Sequence, residues 1–134
     1  MEIKATRHII YQIAYHIVWV TKYRRSVLTL EMGRELKEIL NQTAKEHQLE
    51  IIAVEVEPGH VHCFVNAPPT MSPSNIVKIL KGTSARRMFQ KFPSLKVRLY
   101  KGHLWHASSY VATAGNVSAE TIKKYIENQK QHHK

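Results

Sequence analysis

The stretch "LEIIAVEVEPGHVHCFVNA", residues 49–67, decides the fold. Two β-rich apolar runs flank Pro58-Gly59, so they read as antiparallel strands joined by a tight turn. Successive strand side chains point to opposite faces, which puts His60 and His62 on one side and Val61, Cys63 and Val65 on the other. A two-residue turn at Pro58-Gly59 places Glu57 across from His60 and Glu55 across from His62. Pro-Gly itself suits a type II turn better than the primed turns common in hairpins. Glu55 is then a candidate to hold one imidazole from behind.

Working outward, "YQIAYHIVWVTKY" (11–23) carries aromatic and β-branched residues on both alternating faces, as a central strand does. "TLEMGRELKEILNQTAKEHQ" follows it and predicts a helix with Leu30, Leu36, Ile39 and Leu40 on one face and Thr29 as N-cap. Beyond the hairpin, Ser72-Pro73 has the N-cap and N1 pattern of a second helix, which can run to about Phe92 before Pro93. "SLKVRLYKGHLWH" (94–106) reads as extended or as a loop. "ASSYVATAG" is a last strand closed by Gly115, and Ser118 caps "AETIKKYIENQKQ", a C-terminal helix over about 118–131. The order β-α-β-β-α-β predicts an α+β, ferredoxin-like sandwich on an antiparallel sheet, with one helix added. The chain has 134 residues, and a single domain over 1–134 is expected.

No apolar run approaches the roughly 20 residues of a membrane span, and the N-terminus lacks the pattern of a secretory signal. A soluble cytoplasmic protein without a membrane partner is expected. The single Cys63 excludes an internal disulfide and a Cys-based zinc site. Lys and Arg number 20 against 10 acids, and the pI is near 9.9, which points to a polyanionic partner, nucleic acid first. All ten acids are Glu, so chemistry built on Asp is excluded.

Two imidazoles side by side can hold one metal ion, although an isolated His-x-His is more often just a polar pair on a sheet face. "KKYIENQ" supplies what the pair lacks. Tyr125 and Gln129 are four apart and share a helix face with Ile122 and Ile126. That set also describes an ordinary amphipathic seam. Read chemically, the Gln129 carbonyl completes a His-His-Gln metal site, and Tyr125, one turn earlier, holds its phenol near the same ion. Three neutral ligands leave the ion's charge available for a phosphate. Tyr125 can then attack the phosphorus as a covalent nucleophile, losing its proton to the metal's influence, to water or to a Lys such as Lys124. The link retains the phosphodiester energy, so rejoining needs no ATP.

Basic and aromatic residues cluster around this framework. "TKYRR" (21–25) joins Lys22, Arg24 and Arg25 to Tyr23, combining phosphate neutralisation with a stacking ring for an unpaired base; a solvated strand end is the plainer reading. Lys78, Lys81, Arg86 and Arg87 lie along the second helix, and Lys101 and Trp105 lie in the segment after it. Gly82 interrupts that helix, either for close approach of a partner or for packing.

The segments "YHIVWVTKYRRSVL" (15–28), "GHVHCFV" (59–65), "SPSNIVKILKGTSARRMFQKFP" (72–93), Trp105, "YVATAG" (110–115) and "IKKYIENQ" (122–129) together resemble the HUH-type single-tyrosine transposases (TnpA) of small bacterial and archaeal insertion sequences. The resemblance implies an RRM-like sandwich, with His60, His62 and Gln129 as ligands of Mg²⁺ or Mn²⁺ and Tyr125 as the nucleophile that forms a 5′-phosphotyrosine. It implies single-stranded DNA with hairpin ends as substrate. It also implies a homodimer whose active sites are completed in trans. Gly59 departs from the usual Asp or Asn, Cys63 from Leu, and "HASS" (106–109) from the common pattern. The competing readings are a non-catalytic RNA- or DNA-binding module of the same fold and a metal-dependent RNA-processing enzyme without covalent chemistry.

Overall fold

The computed structural model describes residues 4–5, 10–11, 13–99 and 102–113. Tyr125, Gln129, Lys101, Gly115 and the helix expected over about 118–131 lie outside the described residues. Two short strands, β1 (Lys4–Ala5) and β2 (Ile10–Tyr11), pair antiparallel at the start; the sequence reading did not anticipate them. A four-stranded antiparallel sheet follows, built from β3 (Ala14–Thr21), β4 (Glu50–Glu57), β5 (His60–Asn66) and β6 (Trp105–Thr113) in the order β4-β5-β3-β6. Helices α1 (Leu30–Glu46) and α2 (Pro73–Lys91) complete the β-α-β-β-α-β sandwich, and β3 is central, as its two-faced apolar pattern requires. Among the described residues no helix is long and apolar enough to cross a membrane.

Local chemistry explains the helix starts. The Thr29 hydroxyl accepts from the Met32 amide at 3.2 Å, and the Ser72 hydroxyl from the Asn75 amide at 3.1 Å, each satisfying a first-turn N–H that the helix itself leaves without a partner. Pro73 opens α2, where its missing N–H costs nothing. The apolar face of α1 differs from the expected one at its first residue. Leu36, Ile39 and Leu40 are buried, but Leu30 is 85% exposed and Met32 takes its place against the core. Leu30 sits in the first turn, where the helix enters from solvent. Gly33 faces β4, and a β-carbon there would meet Val56 at 3.5 Å.

The core lies between the sheet and the helices. Ile17, Trp19, Val61, Cys63 and Val65 from the sheet meet Leu36, Leu40, Ile76, Leu80 and Met88 from the helices, all fully or almost fully buried. Cys63 is therefore on the core side, opposite the histidines, and burial pushes its thiol far up from the ordinary 9.0. The segment after α2 is more ordered than its sequence suggested. Ser94–Arg98 forms a short helix, α3, because Leu95 and Leu99, four residues apart, both turn into the core. The last strand starts at Trp105, two residues before the expected "ASSYVATAG".

Candidate functional site

The hairpin that carries the histidines has the register its turn predicted: Glu57 pairs with His60 and Glu55 with His62. Both imidazoles are half-buried on the sheet face away from α1 and α2, with ring centroids 5.0 Å apart and planes at 78°. At metal–nitrogen bonds of about 2.1 Å, rings this close can both reach one cation. Gly59 is not in the left-handed region, so the turn is not the type II turn that Pro-Gly suggested. A β-carbon on Gly59 would meet the Arg25 and Arg24 carbonyls at 3.7 and 3.8 Å, ordinary contacts, so the position is not closed to a β-carbon.

Glu55 lies on the histidine face and forms an ion pair with Lys37 of α1 at 3.6 Å. Glu57 Oε1 is buried and finds no hydrogen-bond partner among the described residues, and Glu57 pairs in register with His60. Among the described residues no three His, Cys or Glu side chains converge as a metal cluster. The donors present are nonetheless of the right chemistry: two imidazoles, which bind divalent ions when neutral, and, on the neighbouring strand, a buried carboxylate oxygen that has no donor among the described residues. These residues fit a divalent cation.

The structure joins the basic cluster to this site. The Thr21 amide donates to the Gly59 carbonyl at 2.9 Å, and the Leu28 amide to the Pro58 carbonyl at 3.1 Å, so the loop after β3 is tied to the turn that precedes His60. Lys22–Arg24 form a 3₁₀ turn in which Tyr23 and Arg24 take φ of 61° and 54°. That left-handed pair is unfavourable for residues with a β-carbon. It leaves the Tyr23 ring 51% exposed, with Lys22 Nζ 5.3 Å and Arg25 Cζ 5.7 Å from its centroid. A cleft of about 350 Å³ between loop and turn is lined by Val20, Arg24, Ser26, Glu57, Gly59 and His60.

The other candidate DNA contacts are placed differently. Trp105 requires correction: it is only 7% exposed, packs edge-on against Trp19 at 5.9 Å, and donates its indole N–H to Ser84 Oγ at 3.1 Å. A ring buried in this way has no face to offer a base. Lys81 donates to the His106 carbonyl at 2.7 Å and Ser109 Oγ at 2.8 Å, so its ammonium holds the start of β6, and burial lowers its pKa. Arg87 pairs with Glu46 of α1 at 3.0 Å. Lys78 and Arg86 are exposed on α2. A β-carbon on Gly82 would meet nothing within 4 Å among the described residues, which removes the packing explanation for that glycine.

Two residues of the histidine face went unnoticed in the sequence. Tyr110 of β6 is 59% exposed beside Val18, the residue paired with His62. His16 of β3 lies with its Nε2 3.4 Å from His62 Nδ1, and burial lowers its pKa. A lone histidine in the apolar run of β3 was the available signal. Which strand it faced depended on sheet order.

Known proteins with this architecture narrow the reading. Residues 9–129 match the family described as "Transposase IS200 like". The chain is 43% identical over 129 residues to the ISDra2 transposase TnpA of Deinococcus radiodurans, covering 96% of this chain and 92% of that protein. It is 32% identical over 126 residues to the transposase for insertion sequence element IS200 of Salmonella typhimurium, covering 94% and 82%. A crystal structure of a Deinococcus radiodurans transposase superposes with a TM-score of 0.78 at 44% identity, over 94% of this chain and 97% of that one. A REP-associated tyrosine transposase, solved with a REP hairpin, shares the fold at a TM-score of 0.61 and 18% identity, over 96% and 73%. With a family match that spans nearly its whole length, this chain belongs to the IS200-like transposases.

Proposed function

We propose that this transposase cleaves and rejoins single-stranded DNA through a 5′-phosphotyrosine on Tyr125, acting at hairpins near the ends of an insertion sequence. Residues 1–134 act as one domain, in the cytoplasm. The observation that carries the reading is the pairing of His60 with His62 on one sheet face, 5.0 Å apart, beside a basic loop tied to their own turn. His60 and His62 bind a divalent cation, Mg²⁺ or Mn²⁺, with Gln129 as the third ligand. When bound, the cation supplies positive charge beside the scissile phosphate and favours the charge that builds up in phosphoryl transfer.

The chain's own residues do the rest. Lys22, Arg24 and Arg25 neutralise backbone phosphates on the approach to the histidines, and Tyr23 offers its exposed ring to an unpaired base. Tyr125 Oη attacks the phosphorus as its phenol proton is lost to water or to Lys124. The bond from phosphorus to the 3′ oxygen breaks, and that oxygen leaves as a 3′-hydroxyl after taking up a proton. A second 3′-hydroxyl reverses the sequence, displacing Tyr125 and restoring the phosphodiester. Two copies assemble, and the helix bearing Tyr125 from one completes the histidine site of the other.

The test is to mix the protein with end-derived single-stranded DNA and Mn²⁺ and look for a denaturant-resistant protein–DNA adduct. It should form with the native chain and disappear in Tyr125→Phe. Substitution of His60 or His62 by Ala should abolish cleavage while hairpin binding persists. An adduct undiminished in Tyr125→Phe refutes the nucleophile, and hairpin binding without any cleavage points to a binding module.

A further inference from the structure

His16 and His62 are 46 residues apart in the chain and adjacent in the sheet. His16 pairs in register with Phe64, one pleat along β5 from His62, and its ring stacks on Phe64 with centroids 4.3 Å apart and planes within 6°. Tyr110 packs edge-on from the other neighbouring strand at 6.0 Å. Held between those rings, the imidazole has little freedom to rotate, and its Nε2 lies 3.4 Å from His62 Nδ1.

We infer that His16 is a positioning residue for the metal site: its Nε2 accepts a hydrogen bond from His62 Nδ1–H, which leaves the Nε2 lone pair of His62 for the cation. The inference rests on the proposed role of His60 and His62 as ligands. One proton lies between the two facing nitrogens, and its owner decides what His62 can do. If His62 holds it on Nδ1, Nε2 is an available ligand. If His16 donates instead, His62 carries its hydrogen on Nε2 and loses its outward ligand atom. A neighbouring acceptor that fixes tautomer and ring plane is the usual support for a metal-binding histidine. The carboxylate expected in that role, Glu55, stands opposite His62 in register and forms an ion pair with Lys37.

The experiment measures Mn²⁺ binding to the whole chain without DNA, by the electron paramagnetic resonance signal of the unbound ion, for the native protein, His16→Phe, His16→Gln and His60→Ala. His16→Phe keeps a flat ring on Phe64 but has no acceptor, and it should weaken binding by roughly 10- to 100-fold. His16→Gln restores a carbonyl acceptor and should recover most of the affinity. In the metal-free protein, ¹⁵N chemical shifts of His62 should report the Nδ1–H tautomer, with a mixture of tautomers in His16→Phe. Native Mn²⁺ binding and an unchanged His62 tautomer in His16→Phe would overturn the role of His16 alone. A His16→Gln protein as impaired as His60→Ala would overturn it too, making His16 a ligand. Mn²⁺ binding indifferent to His60→Ala would overturn the ligand assignment beneath it.

Discussion

Trp105 looked from sequence like a base-stacking ring and lies instead in the core, so Ser84→Ala separates the two roles. In the native protein the buried Ser84 hydroxyl donates to the Lys81 carbonyl at 3.1 Å and accepts from Trp105 Nε1 at 3.1 Å. Removing it leaves the indole N–H buried without an acceptor, which costs about 1–3 kcal/mol, while the α2 carbonyl keeps its helical hydrogen bond. The urea midpoint should fall with the m-value unchanged, because the compactness of neither state changes. Trp105→Phe removes the orphaned N–H along with part of the ring, so the double substitution should cost less than the sum of the singles. A coupling near 1 kcal/mol is expected from one neutral hydrogen bond. Affinity for hairpin DNA, measured on the folded proteins, should not change. The reasoning fails if Ser84→Ala leaves stability within about 0.5 kcal/mol of native, the level of an ordinary surface change. It fails equally if Trp105→Phe weakens DNA binding without loss of stability.

Gly82→Ala should stabilise the protein by about 0.5–1 kcal/mol in thermal or urea unfolding, since the new methyl meets nothing among the described residues and the helix gains propensity. A loss of hairpin affinity in that variant would place DNA against this turn of α2. Tyr23→Leu keeps a side chain on the same loop but removes the aromatic face; it should weaken single-stranded DNA binding by about 1–3 kcal/mol in a titration, with little change in unfolding. Cys63 keeps its proton when folded, since burial raises its pKa above the ordinary 9.0. The unfolded chain therefore loses that proton first, and the stability Cys63 contributes is complete below about pH 9 and declines as pH rises past it. Cys63→Ala should flatten that alkaline decline, and a thiol reagent at pH 8 should label the native protein only at the rate of unfolding.

Much of the fold was legible because it is local. The N-caps at Thr29 and Ser72, the strand alternation around His60 and His62, and the placement of Cys63 on the far face follow from the 3.6- and 2-residue periods of helix and strand. The hairpin register followed as well, since a two-residue turn leaves the pairing of Glu55 with His62 little choice. Tyr125 and Gln129 were singled out by their helical spacing and by resemblance. Long-range placement was not legible. Trp105 and Lys81 have the composition of nucleic-acid contacts, and only the approach of α2 to β6 shows that their hydrogen bonds go to Ser84, His106 and Ser109.

By itself, the sequence determined the four strands of the main sheet and the two long helices α1 and α2, which side of β5 bears the histidines, and which family the chain resembles. Tertiary structure alone decided that His16 faces His62, that the Tyr23 loop is fastened to the turn before His60, and that Trp105 is buried. Periodicity is enforced by neighbours along the backbone, whereas contacts across a sheet depend on strand order, and that order is set by which buried surfaces fit together once the whole chain has packed.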